Sequence, residues 1–160
     1  MSGKILTAYF SASGVTAKAA EKLSKAAGGD LYEIKPEVPY TSADLNWMDE
    51  NSRSTLEMKN PASRPAIAGP LPDMGNYQVI FVGFPIWWYA APTIINTFLE
   101  SLELSGKTVI PFATSGGSGM GKTVEKLKTS CPKATVLPGK MLNGRLSEAD
   151  LKAWVQSLNL

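Results

Sequence analysis

The strongest constraint on the fold is a series of short apolar runs, each ending in an abrupt change of residue type and each followed by a helical repeat. Ile5-Leu6-Thr7-Ala8-Tyr9-Phe10 reads as a buried strand and passes directly into Ser11-Ala12-Ser13-Gly14-Val15-Thr16. Ala20, Leu23 and Ala27 then recur at helical spacing, and Gly28-Gly29 supplies a stop. Residues 30–35 read as a second strand ended by Pro36. Tyr77 to Gly83 is a third strand, apolar enough to be covered on both faces, and it runs into Phe84-Pro85-Ile86-Trp87-Trp88-Tyr89. Pro92 suits the first position of a helix with Ile95, Phe98, Leu99 and Leu102 as its core stripe. Lys107 to Ala113 forms a fourth strand, followed by Thr114-Ser115-Gly116-Gly117-Ser118-Gly119 and a helix carrying Met120, Val124, Leu127 and Cys131 on one face.

A weaker last strand lies near residues 134–142, broken by Pro138-Gly139. The final helix opens on the capping box Ser147/Asp150 and repeats Leu151, Trp154, Val155 and Leu158. Strands alternating with helices predict an α/β fold: a three-layer, doubly wound, five-stranded parallel sheet with strand order 2-1-3-4-5. At 160 residues the chain is one domain, residues 1–160, with a core of useful size.

One segment departs from this rhythm. Residues 37–76 carry Pro39, Pro61, Pro65, Pro70 and Pro72, too many for one long helix or strand, and read as a proline-rich insertion within the second crossover. Thr41 and Asp44 form a capping box that predicts a short helix over Leu45, Trp47 and Met48, and a turn is expected over residues 54–58. The surplus length suggests a lid or a partner surface. Within it, Trp47 and Arg53 either pack the insertion down and stay solvated, respectively, or join Asn46 in touching a ligand.

Absent residue types narrow the chemistry. There is no histidine, which removes Ser-His-Asp and Cys-His catalysis and the usual zinc and haem ligand sets. The single cysteine, Cys131, has no disulfide partner and reads as a small apolar packing residue rather than a reactive thiol. Hydrophobic content of 44% and charged content of 19% fit a globular protein, with no membrane or nucleic-acid partner expected. Met1-Ser2-Gly3-Lys4 leaves no room for a secretion signal before the first strand, so a cytoplasmic location is expected. Residues 107–145 hold seven basic side chains against one acid, Glu125. They form either a solvated face or a steering field for an anionic partner.

The loops carry the functional signal. Ser11, Ser13 and Thr16 offer hydroxyl donors around Gly14 at a helix N-terminus, whose free amides and dipole suit a phosphate. Ser13 or Thr16 could equally do no more than cap the helix. The aromatic loop offers a face to a flat heterocycle, and the small residues after Thr114 offer bare backbone to its polar edge. In this topology all three loops fall beyond the carboxyl ends of the strands. Together they describe a mononucleotide with a flat aromatic head, for which FMN fits better than ATP.

Ser11-Ala12-Ser13-Gly14-Val15-Thr16, Pro85-Ile86-Trp87-Trp88-Tyr89 and Thr114-Ser115-Gly116-Gly117 resemble the three FMN loops of the flavodoxin superfamily, above all those of bacterial flavodoxin-like proteins. The resemblance implies that Ser11, Ser13, Gly14 and Thr16, with the amides of Ala12 and Val15, hold the FMN phosphate. It sets Pro85, Ile86, Trp87 and Trp88 against the isoalloxazine, and Thr114, Ser115, Gly116 and Gly117 along its edge and ribityl chain. Two departures stand out: the chain is slightly basic where soluble carriers of this superfamily are typically acidic, and the 37–76 insertion is longer and richer in proline.

A competing motif is Gly116-Gly117-Ser118-Gly119-Met120-Gly121-Lys122-Thr123, which matches the phosphate-loop pattern of nucleotide hydrolases. Such enzymes also need a carboxylate at a strand end, and the strands as read offer none. The leading expectation is an FMN-binding electron carrier serving a redox partner protein or a small acceptor such as a quinone. The alternatives are an NAD(P)H:quinone-type reductase of the same superfamily, in which Tyr40 or Tyr89 positions a substrate oxygen, and a flavin-free binding module. A phosphate loop without a cation, beneath aromatic cover, predicts a low potential for the last reduction step.

Overall fold

The computed structural model describes residues 4–12, 14–46, 48–60, 62–87, 90–114, 123–143 and 147–158. The strands are β1 (Lys4–Tyr9), β2 (Asp30–Glu33), β3 (Tyr77–Pro85), β4 (Thr108–Thr114), β5 (Thr135–Val136) and β6 (Lys140–Met141). The helices are α1 (Val15–Ala27), α2 (Arg53–Lys59), α3 (Thr93–Glu100), α4 (Thr123–Lys128) and α5 (Glu148–Ser157). All strand pairings are parallel, in the order β2-β1-β3-β4-β5, and β6 also pairs with β4. The expected order 2-1-3-4-5 is therefore the observed one. The fifth position is filled by two short pieces, because Pro138 and Gly139 interrupt the ladder between the pairings of Val136 with Val109 and of Lys140 with Phe112.

Alternation along the strands builds two cores. Leu6, Ala8 and Phe10 join Ile80, Val82 and Phe84 on one face, covered by Ile94, Ile95, Phe98 and Leu99 of α3 and by Leu127 of α4. Tyr9, Val79, Phe81, Ile110 and Phe112 face the other way, under Ala19, Ala20 and Leu23 of α1 and Leu151 of α5. The predicted helix–sheet–helix layering follows from this. Gly83 is required where it stands: a Cβ there would lie 2.2 Å from the Phe112 ring, which crosses the neighbouring strand at that point. Cys131 packs into the first core at 5% exposure, and burial pushes its thiol pKa upward, as expected of an unreactive packing residue.

The insertion is closed at its neck. Glu37 N–H donates to Ala66 O at 2.8 Å and Ala68 N–H to Lys35 O at 2.8 Å, an antiparallel clasp around the Pro36–Ile67 bridge. The Thr41/Asp44 box forms in both directions, Thr41 N–H to Asp44 Oδ2 at 2.9 Å and Asp44 N–H to Thr41 Oγ1 at 3.1 Å. Among the described residues only a turn follows it: Leu45 is half-buried and Met48 is 73% exposed, too little apolar burial to carry a helix, and Trp47 lies outside the described residues. The helix of the insertion is instead α2, where a turn was expected; Ser52 caps it, accepting the N–H of Thr55. Among the described residues no helix is long and apolar enough to cross a membrane.

Candidate functional site at the carboxyl edge of the sheet

The ends of three neighbouring strands lie level. Tyr9 pairs with Gly83 across β1 and β3, and Pro85 with Thr114 across β3 and β4, so the chain leaves all three strands at one rim. Hydrogen bonds continue beyond the ladders: Phe10 N–H donates to Gly83 O at 2.9 Å, and Ile86 N–H to Thr114 O at 2.9 Å.

At the first loop, Gly14 holds the N-cap position of α1 with φ 94°, in the left-handed region that favours glycine. Its N–H donates to Ser11 Oγ at 3.0 Å, folding the loop on itself. Among the described residues no side chain caps the helix at Gly14. Thr16 in particular does something else: its hydroxyl lies 2.7 Å from Thr114 Oγ1, and both residues are buried. The first intrahelical bond runs from Lys18 N–H to Gly14 O, so the amides of Val15, Thr16 and Ala17 precede any helical acceptor. Ser11, Ala12 and Gly14 are half-buried and the Val15 side chain is exposed. This donor set is fitted to a small anion: amides at the positive end of a thirteen-residue helix, with hydroxyls beside them. Ser13 lies outside the described residues.

At the second loop, Pro85, Ile86 and Trp87 are half-buried at the rim. Trp87 and Ala90 exchange both backbone bonds, at 2.9 and 3.0 Å, which closes the loop into a tight bridge. Trp88 and Tyr89 lie outside the described residues. At the third, Thr114 is the last residue of β4. Ser115, Gly116 and Gly117 lie outside the described residues, as does the phosphate-loop motif up to Lys122; its final residue, Thr123, is buried at the start of α4.

β2 ends on Glu33, so a carboxylate does stand at a strand end. It lies three strand positions from β4, about 14 Å at ordinary strand spacing, too far to share a metal ion with a loop after β4.

The insertion contributes a wall that the sequence reading did not assemble. The Tyr40 ring lies 5.6 Å from that of Phe10 and 5.6 Å from that of Trp87, and Phe10 and Trp87 are 5.8 Å apart, edge to face. The Tyr40 hydroxyl donates to Glu57 Oε1. Arg53 lies with its guanidinium carbon 3.8 Å from the Tyr40 ring centroid, donates through Nε to Glu57 Oε2 at 3.0 Å, and donates to Val38 O at 2.6 Å. The phenol of Tyr40 is held above its ordinary pKa, first by burial and then by its bond to Glu57, with the Arg53 charge opposing. Arg53 is thus not the solvated residue of the bland alternative. Its partner Glu57 was legible only as an acid four residues on from Arg53, a spacing that joins them on one helix face.

Among the described residues the basic side chains of 107–145 are divided between different edges of the sheet. Lys107 and Lys133 precede β4 and β5 and sit at the opposite edge of the sheet, where Lys107 Nζ donates to Tyr77 O at 2.7 Å. Lys126 and Lys128 ride on α4, and Lys140 begins β6. Lys122 and Arg145 lie outside the described residues.

A family model described as flavodoxin (Flavodoxin_4) matches residues 4–158. Among solved structures, a candidate flavoprotein from Bacteroides eggerthii is 52% identical over 99% of each chain with a TM-score of 0.93. One from Bacteroides uniformis is 48% identical over 98% of this chain and 99% of its own, with a TM-score of 0.92. A flavoprotein from Lactobacillus acidophilus, solved in complex with FMN, is 24% identical over 88% of this chain and 93% of its own, with a TM-score of 0.67. No curated protein gives a significant match. With a shared strand order, three loops at one rim and a family match over nearly its whole length, this chain belongs to the flavodoxin family.

Proposed function

We propose that the protein binds FMN non-covalently at the carboxyl edge of its sheet and passes electrons through it to a redox partner protein or a small acceptor such as a quinone. The observation that carries this reading is the gathering of the three loops at one rim, joined by the Ile86–Thr114 and Thr16–Thr114 bonds. The FMN complex of the Lactobacillus acidophilus protein, which shares the fold, supports it. In this reading Ser11, Ser13, Gly14 and Thr16, with the amides of Ala12 and Val15, hold the phosphate. Pro85, Ile86, Trp87 and Trp88 cover the ring, and Thr114 to Gly117 run along its edge.

Bound FMN supplies the one- and two-electron chemistry. The chain's own residues orient and shield it. Phe10, Tyr40 and Trp87 close the rim between the first two loops with apolar surface, which limits water there. Arg53, the cation packed on this wall, is countered by Glu57 at 3.0 Å and Asp44 at 4.0 Å. A neutral phosphate loop beside a wall whose cation faces two carboxylates favours a low potential for the last reduction step. A reductase reading is favoured by one further feature, a cleft of about 220 Å³ beside the end of the second loop, lined by Arg64, Ala90, Ala91, Asn96 and Lys126 among others.

Titration of the purified protein with FMN is expected to quench the flavin's fluorescence and sharpen its visible spectrum. A flavin spectrum unaltered at saturation sets the reading aside in favour of a module acting through partners. Anaerobic NADPH then separates the two redox roles: a reductase bleaches without any added enzyme, and a carrier stays yellow.

A further inference from the structure

Thr114 touches all three loops at once. Its hydroxyl meets Thr16 of the first loop at 2.7 Å, its carbonyl accepts the N–H of Ile86 in the second at 2.9 Å, and the third begins at the next residue. Thr16 and Thr114 as whole residues are 1% and 3% exposed. Each threonine hydroxyl carries one proton. One of these protons is used in the bond between them, and the accepting hydroxyl keeps its own to give elsewhere. The direction of the bond is therefore set by whichever loop offers the stronger acceptor.

A phosphate dianion outranks a neutral acceptor, because hydrogen bonds to charged groups are about twice as strong as neutral ones. We propose that Thr114 is a positioning residue that couples the two ends of the flavin site: with phosphate on the first loop, Thr16 turns its proton toward it and Thr114 donates to Thr16. Phosphate capture then fixes the hydroxyl direction of the residue from which the ring-edge loop departs. Thr114 acts on the phosphate through Thr16, although by position it belongs to the other end of the site. This rests on the FMN reading above.

The test compares FMN with riboflavin, which has the same ring and no phosphate, by fluorescence titration of native protein, Thr114→Val, Thr16→Val and the double variant. Thr114→Val keeps the Thr16 donor to phosphate and removes only the neutral bond that orients it, so it is expected to weaken FMN about fivefold, the size of one neutral hydrogen bond, and riboflavin less than about twofold. Thr114→Ser, which keeps the hydroxyl, is expected to hold FMN within about twofold of native. The double variant is expected to bind FMN no more weakly than Thr16→Val, since both act through one bond.

Equal losses for both flavins, or losses that add in the double variant, overturn the coupling while leaving FMN binding intact. Native protein that binds neither flavin overturns the FMN reading and the coupling with it. Thermal melting checks that each variant is folded; Thr114→Ala, which adds no bulk, replaces the valine variant under the same criteria if that one is not.

Discussion

The sheet with its helices and the 37–76 insertion are held by different forces. In the former, Phe81, Phe98 and Phe112 are fully buried, and each strand is locked to its neighbours along its length. The insertion leaves Val38, Met48 and Leu56 exposed and is tied down at a few points. Its ties include the neck clasp at residues 35–37 and 66–68, the Tyr40–Arg53–Glu57 group, a two-bond contact of Arg64 with Glu100, both at 2.9 Å, the Tyr32 hydroxyl on Pro70 O at 3.0 Å, and Met74, which enters the first core. Burial is diffuse, so no single polar contact decides the frame. The insertion depends on individual bonds, and one of its tie points is a wall of the candidate site. Its local stability and the geometry of Trp87 are thus linked through Tyr40.

The contrast can be broken first at the frame. Phe81→Ala is expected to cost about 3–5 kcal/mol in chemical denaturation, since the ring lies between α1 and α5 with nowhere to collapse. A loss below about 1 kcal/mol would mean that the sheet does not carry the stability.

Next in size is the latch. Glu57→Gln removes the carboxylate closest to the half-buried Arg53, leaving Asp44 at 4.0 Å as its counter-charge, and should cost about 1–2 kcal/mol locally. Amide exchange in residues 37–60 is expected to speed up while the β3 and β4 amides keep their protection. Uniform acceleration across the protein would erase the distinction between the two regions.

Within the frame, Thr7 Oγ1 is fully buried with no hydrogen-bond partner among the described residues. Thr7→Val is therefore expected to stabilise by about 1 kcal/mol, raising the midpoint of melting by about 2–4 °C. A lower midpoint would show that the hydroxyl is satisfied.

The smallest effect belongs to the exposed pair. Glu100 is held below its ordinary carboxylate pKa, first by its bond to Arg64, with Ser130 adding to it. A depressed carboxylate contributes in full above the ordinary range and loses that contribution as pH falls through the lowered value. Arg64→Ala should accordingly cost about 0.5 kcal/mol or less at neutral pH and nothing in acid, with the difference shrinking in salt. A difference that persists at low pH would assign Arg64 a packing role instead.

How legible each region was follows the same division. Strands β1, β3 and β4 announced themselves because apolar runs bounded by glycine, proline and hydroxyl residues have few alternatives. The capping box at Thr41 misled, because reciprocal capping satisfies two amides whether or not a helix continues. Tyr40 and Glu57 stand seventeen residues apart, and nothing local marks them as partners. The basic count over residues 107–145 suggested a field that the fold divides between opposite edges of the sheet.

What the order of residues determined alone was the alternation of strand and helix, the strand order and the three loops beyond the carboxyl ends, since these follow from local periodicity and from the handedness of parallel crossovers. Only the tertiary structure decided that Thr16 bonds to Thr114, ninety-eight positions away, and that Tyr40 packs between Phe10 and Trp87. Such contacts join segments far apart in the chain, and a hydroxyl or a ring carries no mark of its distant partner until the sheet has brought the two together.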